Sequence, residues 1–272
     1  MPLTINPETA SQSAGDLIRH WRARRRMSQL DLASEAEISQ RHLSFVESGR
    51  ATPSREMILH LSERLDIPLR DRNTLLASAG FAPIYPERKF DHPAMSAARA
   101  AVDLVLKVHE PFPALAVDRH WTLIAANAPV KFFMDGAAKH LVSGPVNVLR
   151  LSLHPEGLGP RIINYRDYRA HVLSHLDRQI NVSGDATLAA LRAELDAYPV
   201  PAAAAPPRPQ TAIEATGVVV PLRLRTASIT LSFFSTITMF GTPIEVTLSE
   251  LAIEQFFPAD DVTANYLRQN AK

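Results

Sequence analysis

The stretch SQLDLASEAEISQRHLSFVESGRATPSR, residues 28–55, decides the fold of the first third of this chain. It holds two short segments with apolar residues at helical spacing, and Ser28 and Ser39 precede them. A serine in that place accepts a hydrogen bond from a free backbone N–H, and Asp31 completes a capping box at the first segment. Gly49 follows the second segment, where helices commonly end in a left-handed residue. The stretch therefore predicts two helices joined by a turn of about three residues.

The neighbouring sequence extends this pair to five helices within residues 14–80. An apolar stripe at spacings of three and four precedes the pair and includes Trp21. After the pair, Thr52 is expected to cap a fourth helix that begins at Pro53, because proline suits the first helical position. A fifth helix is expected to end at Gly80. The residues expected to face the core from the helix pair are Leu30, Leu32, Ala33, Leu43 and Val46.

Two short helices at this spacing form a helix-turn-helix pattern, whose second helix enters the major groove of DNA. Glutamine on that helix can pair with adenine, and arginine can pair with guanine. The run RHWRARRRMSQ has five arginines between Arg19 and Arg26; it suits either a phosphate-facing patch or an ordinary solvated helix face. The residues expected to contact DNA are Gln29, Ser39, Gln40, Arg41, Ser44, Phe45 and Arg50.

Three side chains of this motif have open roles. Phe45, on the reading face, is expected to contact either a thymine methyl group or a neighbouring helix. His42 fits helix packing as well as base reading, and Ser44 fits a solvated position as well as a base contact.

Composition excludes several classes of protein. The chain has 272 residues, of which 46% are hydrophobic, so it can bury the cores of two domains. No apolar run reaches the roughly 20 residues that a transmembrane helix needs, and residues 1–16 lack the pattern of a signal peptide. We therefore expect a cytoplasmic protein without membrane contact. The absence of cysteine rules out disulfides, thiolate metal sites and cysteine nucleophiles.

The proline-containing segment FAPIYPERKFDHP has no sustained period and predicts a linker. The expected organisation is a flexible N-terminus over residues 1–13, a helical domain over 14–82, a linker over 83–93 and a second domain over 94–272.

The second domain mixes helix and strand patterns. ALAVDRHWTLIAAN predicts two strands about a tight turn, and GVVVPLRLRT with SITLSFFSTITMF predicts two neighbouring antiparallel strands. ELAIEQFF fits strand or helix, and we favour strand. VPAAAAPPRPQ predicts a mobile loop. Helices are expected near residues 95–109, 164–180 and 185–198 and again from about residue 260.

Catalytic motifs are missing from the sequence. His171 and His175 are four residues apart on a predicted helix, which would suit a metal, but no third ligand follows by spacing. No HExxH, G-x-S-x-G or P-loop is present. We therefore expect no enzyme, no cofactor and no metal.

Residues 14–80 resemble the DNA-binding domain of the Xre/Cro/C1-type repressors, most specifically over SQLDLASEAEISQRHLSFVESGRATPSREMILHLSERLDIP. The resemblance implies phosphate contacts for Gln29 and Arg50, base contacts for Gln40, Arg41 and Ser44, and an ion pair between Arg22 and Glu47. It also exposes one departure. The family usually has glycine in the turn, where this chain has Glu37, and a left-handed non-glycine residue costs roughly 1 kcal/mol.

The resemblance extends to the MmyB-like transcription regulators, through WRARRRMSQLDLA, LLASAGFAPIYPER, PALAVDRHWTLIAAN, PLRLRTASITLSFFSTITMFGTP and ELAIEQFFPAD. It implies a C-terminal ligand-binding domain of PAS-like fold that takes an apolar, fatty-acid-like effector. The resemblance supplies no contact residues. Aromatic residues and the polar residues of the segment expected to cover the sheet are the candidates, although core packing and solvent exposure explain most such residues. The candidates are Phe132, Arg150, His154, Arg161, Tyr165, Arg169 and Phe233.

Together these observations predict a multidomain fold: an N-terminal all-α five-helix helix-turn-helix domain and a C-terminal α+β PAS-like domain with an antiparallel sheet. The predicted function is sequence-specific binding of double-stranded operator DNA, controlled by a small apolar or fatty-acid-like ligand. A homodimer is expected because one recognition helix reads only a few base pairs. The alternative is a second domain that serves as a protein-interaction or dimerisation module without a small ligand.

Overall fold

The computed structural model describes residues 12–202, 204, 220–241 and 244–270. The N-terminal segment predicted to be flexible and the predicted loop VPAAAAPPRPQ lie largely outside these residues. The described chain divides into two compact units. Unit 1 contains residues 12–88 and 244–246, and unit 2 contains the rest of the described chain.

Unit 1 is built from five helices, as the sequence predicts. They are α1 (Ala14–Arg24), α2 (Gln29–Glu35), α3 (Gln40–Glu47), α4 (Arg55–Arg64) and α5 (Leu69–Ser78). Their shared core includes Ile18, Leu32, Leu43, Ile58, Leu61 and Leu75.

The local signals of the helix pair are confirmed. The Ser28 and Asp31 side chains form the capping box of α2, and Ser39 Oγ accepts the His42 N–H at 3.1 Å. Gly49 ends the pair with a φ of 73°. Glu37 takes the left-handed conformation with a φ of 52°, so the turn keeps its geometry without glycine.

Leu30 was expected to face the core, and this prediction is wrong. Its exposed fraction is 61%, while Leu32, Ala33 and Ala36 are buried. Successive residues of a helix are separated by about 100°, so Leu30 lies about 200° around α2 from Leu32. The narrow buried side of this seven-residue helix cannot include both leucines.

The predicted start of the fourth helix is also wrong. Ser54 is the N-cap, with its Oγ 3.2 Å from the Met57 N–H, and the helix begins at Arg55 instead of Pro53. Ser54 and Thr52 have equivalent capping chemistry. Pro53 is buried ahead of the helix, and the chain is still extended at Ser54, which caps it.

Thirteen further helices and strands follow along the described chain, leaving aside short 3₁₀ turns. The helices are α6 (Ser96–Val108), α7 (Lys131–Met134), α8 (Lys139–Val142), α9 (Val148–Leu153), α10 (Tyr165–Ser183), α11 (Ala186–Ala197), α12 (Val246–Ser249) and α13 (Asp261–Asn270). The strands are β1 (Ala114–Val117), β2 (Leu123–Ala126), β3 (Leu222–Arg225), β4 (Thr230–Met239) and β5 (Ala252–Pro258). ELAIEQFF is therefore a strand, as favoured.

The five strands form one antiparallel sheet in the order β2-β1-β5-β4-β3. Strand β5, the last in sequence, is central and pairs with both β1 and β4. The sheet is thus built from the two ends of the second domain's sequence, and the predicted α+β fold class is confirmed.

Each face of the sheet packs against helices. Val102 and Leu106 of α6 contact the face that carries Ala114, Ala116 and Ile253. The opposite face joins the larger core, which includes residues of α9, α10 and α11. Because neighbouring residues of a strand point to opposite faces, this alternation divides β5 between the two cores. Among the described residues, no helix is long and apolar enough to cross a bilayer.

Candidate nucleic-acid interface and ligand cavity

The first turn of α3 presents polar side chains to solvent. Ser39, Gln40, Arg41 and His42 are exposed, and His42 therefore does not pack in the core. Leu43 and Val46 of the same helix are fully buried. An amphipathic helix with a polar, exposed N-terminal turn is what major-groove reading requires.

A buried carboxylate at the end of α3 holds three helices together. Glu47 accepts hydrogen bonds from Arg22 Nε at 2.7 Å, Arg22 Nη2 at 2.9 Å and Gln29 Nε2 at 2.8 Å. The Glu47 side chain is fully buried and that of Arg22 is 14% exposed. Burial raises the pKa of Glu47, but the bonds from Arg22 and Gln29 outweigh it and the pKa lies below its ordinary value. The predicted pair between α1 and α3 is confirmed.

Gln29 has a structural partner that the sequence did not indicate. One of its amide hydrogens bonds Glu47, which fixes this side chain at the first position of α2. A glutamine held in this way has little side-chain freedom left to lose on binding a further acceptor.

Phe45 packs against two arginines. The guanidinium carbon of Arg41 lies 5.4 Å from its ring centroid, and that of Arg50 lies 5.8 Å away. Both distances are within the range of a cation–π contact. The spacing of four residues between Arg41 and Phe45 could have indicated the first contact from sequence. Phe45 thus links the arginine expected at a base to the one expected at a phosphate.

The arginine run of α1 is partly structural. Besides Arg22, Arg25 donates to the carbonyl oxygens of Leu65 and Asp66 at 2.8 Å each, and its guanidinium lies over Trp21. Arg26 is exposed. The run therefore divides between helix packing and a solvated face, so its charge density by itself does not define a phosphate patch.

Unit 2 contains two adjacent cavities, of about 60 Å³ and about 40 Å³. Five residues line both: Leu149, Tyr168, Leu222, Glu254 and Phe256. The larger is also lined by Trp121, His171, Val172, His175, Val220, Phe233, Ser235 and Ile237. The smaller is lined almost entirely by apolar side chains. Pockets for drug-sized ligands usually measure about 300–1,000 Å³, so a ligand with a long chain enters only if side chains move.

Among the described residues that line the two cavities, Glu254 is the only acidic one. It lies in the middle of β5, opposite Leu115 of β1 and Ile237 of β4. Burial raises the pKa of its carboxyl to about 7, although the Ser235 hydroxyl opposes part of the rise. The carboxyl is therefore poised to change charge near neutral pH.

The two histidines considered for a metal line the larger cavity instead. His175 packs edge-on against Trp121, with ring centroids 5.5 Å apart. Burial lowers the pKa of both His171 and His175, and the charge of Arg178 lowers it further. Burial therefore favours the neutral form of both rings.

The residues expected to bind the effector have different positions. Phe233 is buried and lines the larger cavity. Arg150 forms a two-bond ion pair with Glu194, at 2.6 and 2.7 Å. Arg161 lies over the Phe132 ring at 4.9 Å and donates to the Phe132 and Asp135 carbonyls. Neither arginine lines a described cavity.

The other three are also bonded within unit 2. Tyr165 is fully buried and donates its hydroxyl to the Leu153 carbonyl at 2.9 Å. Arg169 pairs with Asp196. His154 packs on Tyr198. Among the cavity-lining residues, sequence reasoning assigned no role to Tyr168, Ser235 or Glu254, and it considered His171 and His175 only for a metal. A charge at a core-facing position of the strand pattern in ELAIEQFF was the available signal.

One histidine cluster with metal-like spacing occurs among the described residues. The nearest ligand atoms of His140, His154 and Glu156 lie within 4.8 Å of one another. However, His154 Nδ1 accepts the Glu156 N–H at 3.0 Å, which places the proton of a neutral ring on Nε2. Neither nitrogen of His154 then offers a free lone pair, and we assign no metal there.

Comparison with known proteins agrees with this division of the chain. The family described as helix-turn-helix matches residues 18–71, and the MmyB-like transcription regulator ligand binding domain matches residues 98–269. No curated protein matches the chain. A solved structure titled "Structure of an RNA-binding Light-Oxygen-Voltage Receptor" is 14% identical over 100% of this chain and 67% of that chain, but its TM-score of 0.25 supports no argument. Since the second match covers more than half of the chain, the protein belongs to the MmyB-like transcription regulators and joins a helix-turn-helix DNA-binding domain to a C-terminal ligand-binding domain.

Proposed function

We propose that this regulator binds a specific double-stranded operator and that a small apolar, fatty-acid-like effector in the cavities of unit 2 controls that binding. The observation that supports DNA binding is the exposed first turn of α3, a helix that is held to α1 and α2 through Glu47. A rigid, outward-facing recognition helix loses little freedom on binding. The proposal places the protein in the cytoplasm and assigns it no catalytic activity.

The proposed DNA contacts divide by role. Gln40, Arg41 and Ser44 read base edges, and Gln29 and Arg50 hold phosphates, while Ser39 and Phe45 complete the surface. Two copies of the chain bind together as a homodimer, because two half-sites supply the specificity that one helix lacks.

An effector that binds in these small cavities would act by changing the shape of unit 2. An alkyl chain needs more room than about 60 Å³ and about 40 Å³ provide, so its entry must displace side chains of α10 or of the sheet. An effector that binds only the widened form shifts unit 2 toward that form. Effector binding and DNA binding would then change each other's affinity by the same factor.

The test begins with selection of operator sequences from a random duplex library by the full chain, followed by binding titrations. Arg41→Ala is expected to cost about 1–3 kcal/mol and to relax preference at one base pair. Arg50→Ala is expected to weaken all sequences alike and to reduce the salt dependence of binding. Equal, sequence-independent losses from both variants would show that these roles are wrong.

The same cavity volumes favour a second candidate, in which unit 2 binds another protein or a second copy and no small ligand. Native mass spectrometry of gently purified protein distinguishes the two. A bound mass of a few hundred daltons, released on unfolding, supports the effector; an empty chain whose DNA affinity does not respond to alkyl ligands supports the interaction module.

A further inference from the structure

Glu254 interrupts the apolar pattern of the central strand. Residues 252, 254 and 256 point to the same face of the sheet, and Phe256 is buried in the larger core. The cross-strand neighbours of Glu254 are Leu115 and Ile237. A carboxyl group in such surroundings opposes folding unless a partner compensates it, so polar residues at core positions point to function.

The groups around Glu254 define what it can bind. From α10, the titratable side chains that share its cavities are Tyr168, His171 and His175, and β4 contributes the Ser235 hydroxyl. From β1, β3 and α9, the lining side chains are Leu115, Leu222, Val148, Leu149, Leu151 and Ser152. None of these described lining residues carries a permanent positive charge.

The cavities therefore present an unusual electrostatic environment to a ligand. Burial lowers the pKa of the two histidines below the ordinary value and so favours their neutral form. Among the described lining residues an anionic head group finds no cation, and it meets a carboxyl group that becomes negative as pH rises. A head group that donates a hydrogen bond meets the half-buried Glu254 carboxyl in a mostly apolar lining, where such a bond is stronger than in water.

We propose that Glu254 recognises the polar head group of the effector and that the cavities select a head group that donates a hydrogen bond, as an amine or an undissociated acid does, over an anion. The inference rests on the proposed effector function and deepens it by naming the head-group chemistry. A carboxylate ligand then binds only when Glu254 itself holds a proton, and the two carboxyl groups share that single proton.

The expected pH dependence follows from this sharing. The pKa of Glu254 is raised to about 7, so its protonated fraction falls by roughly tenfold or more between pH 7.0 and 8.5. A simple carboxylic acid is ionised at both pH values, and an alkylamine is cationic at both. A change in carboxylate affinity over this interval therefore reports Glu254 and not the ligand.

The test is calorimetric titration of the full chain with octanoate, octan-1-ol and octylamine, which share one tail, at pH 7.0 and 8.5. Octanoate is expected to bind roughly tenfold more weakly at pH 8.5, while octylamine keeps or gains affinity. Glu254→Gln should make octanoate binding independent of pH and weaken octylamine at least tenfold. Glu156→Gln, which removes an exposed acid of the same unit, should leave the wild-type behaviour intact.

Each other outcome has a distinct meaning. Octanoate that binds the wild type equally at both pH values, and more tightly than octylamine, overturns the role of Glu254 while leaving an apolar effector in place. The role of Glu254 is also overturned if octanoate binding to the Glu254→Gln variant keeps its pH dependence. Failure of all three ligands to bind either protein overturns the proposed effector function together with this inference. The wild-type comparison requires no variant to fold.

Discussion

Replacing Glu47 by glutamine should destabilise unit 1 far more than removal of an ordinary surface charge. Glu47→Gln keeps the size of the side chain but removes the negative charge opposite Arg22, whose side chain is only 14% exposed. Breaking a buried pair by removing one partner costs about 3–5 kcal/mol. Glutamine can still accept one hydrogen bond, so we expect the lower end, about 3 kcal/mol.

The two tryptophans make the measurement specific. Trp21 is buried in unit 1 and Trp121 in unit 2, and the sequence contains no others. In a Trp121→Phe background, fluorescence during urea unfolding reports unit 1 alone. With a slope of about 1 kcal/mol per molar urea, typical of a small domain, Glu47→Gln should lower the midpoint by about 3 M.

Glu87→Gln is the matched control. Glu87 pairs with Arg70 in the same unit, but their side chains are 34% and 26% exposed. Exposed pairs contribute about 0–1 kcal/mol, so this midpoint should move by less than about 1 M. If Glu47→Gln moved the midpoint no further than Glu87→Gln, burial would not be the source of the energy and the reasoning would be refuted.

Phe45→Leu should weaken operator binding about fivefold to thirtyfold in a fluorescence anisotropy titration, because two cation–π contacts of about 0.5–1 kcal/mol each hold Arg41 and Arg50 in place. Phe45→Tyr keeps the aromatic ring and should bind normally; an equal loss in both variants would contradict the role of the ring. Asp185→Ala should destabilise unit 2 by about 1–2 kcal/mol in urea, because Asp185 caps α11 and accepts from His120 at 2.8 Å, which holds its pKa well below the usual range; Asp185→Asn, which still caps, should lose less. Unit 2 should lose stability as pH rises through about 7, because the pKa of Glu254 is raised in the folded state and the stabilisation by its bound proton is complete only below the ordinary pKa of glutamate. Trp121 fluorescence in a Trp21→Phe background measures this loss, and a Glu254→Gln variant with the same pH slope would contradict the prediction.

The sequence by itself determined the local structure of the helix pair. Ser28 with Asp31, Ser39 and Gly49 act through hydrogen bonds and backbone conformations that extend over only a few residues, and such signals are readable in one chain. ELAIEQFF fitted strand or helix by sequence; strand was favoured, and the segment forms β5. The sequence predicted two pairs of neighbouring strands and not the order of all five.

Only the tertiary structure decided which residues are buried, which side chains pair and where the cavities lie, because these depend on neighbours that are distant in sequence. Leu30 and Thr52 have the right chemistry for the roles expected of them, but Leu32 faces the core in place of Leu30 and Ser54 caps the fourth helix in place of Thr52. Arg150 and Arg169 could be ligand anchors by composition, yet acids from α11 pair with both. The cavities are formed by side chains from α9, α10 and the sheet, whose strands β1 and β5 lie more than a hundred residues apart in sequence. The charge of Glu254 was visible in the sequence, but its raised pKa depends on these distant neighbours, because desolvation is a property of the assembled core.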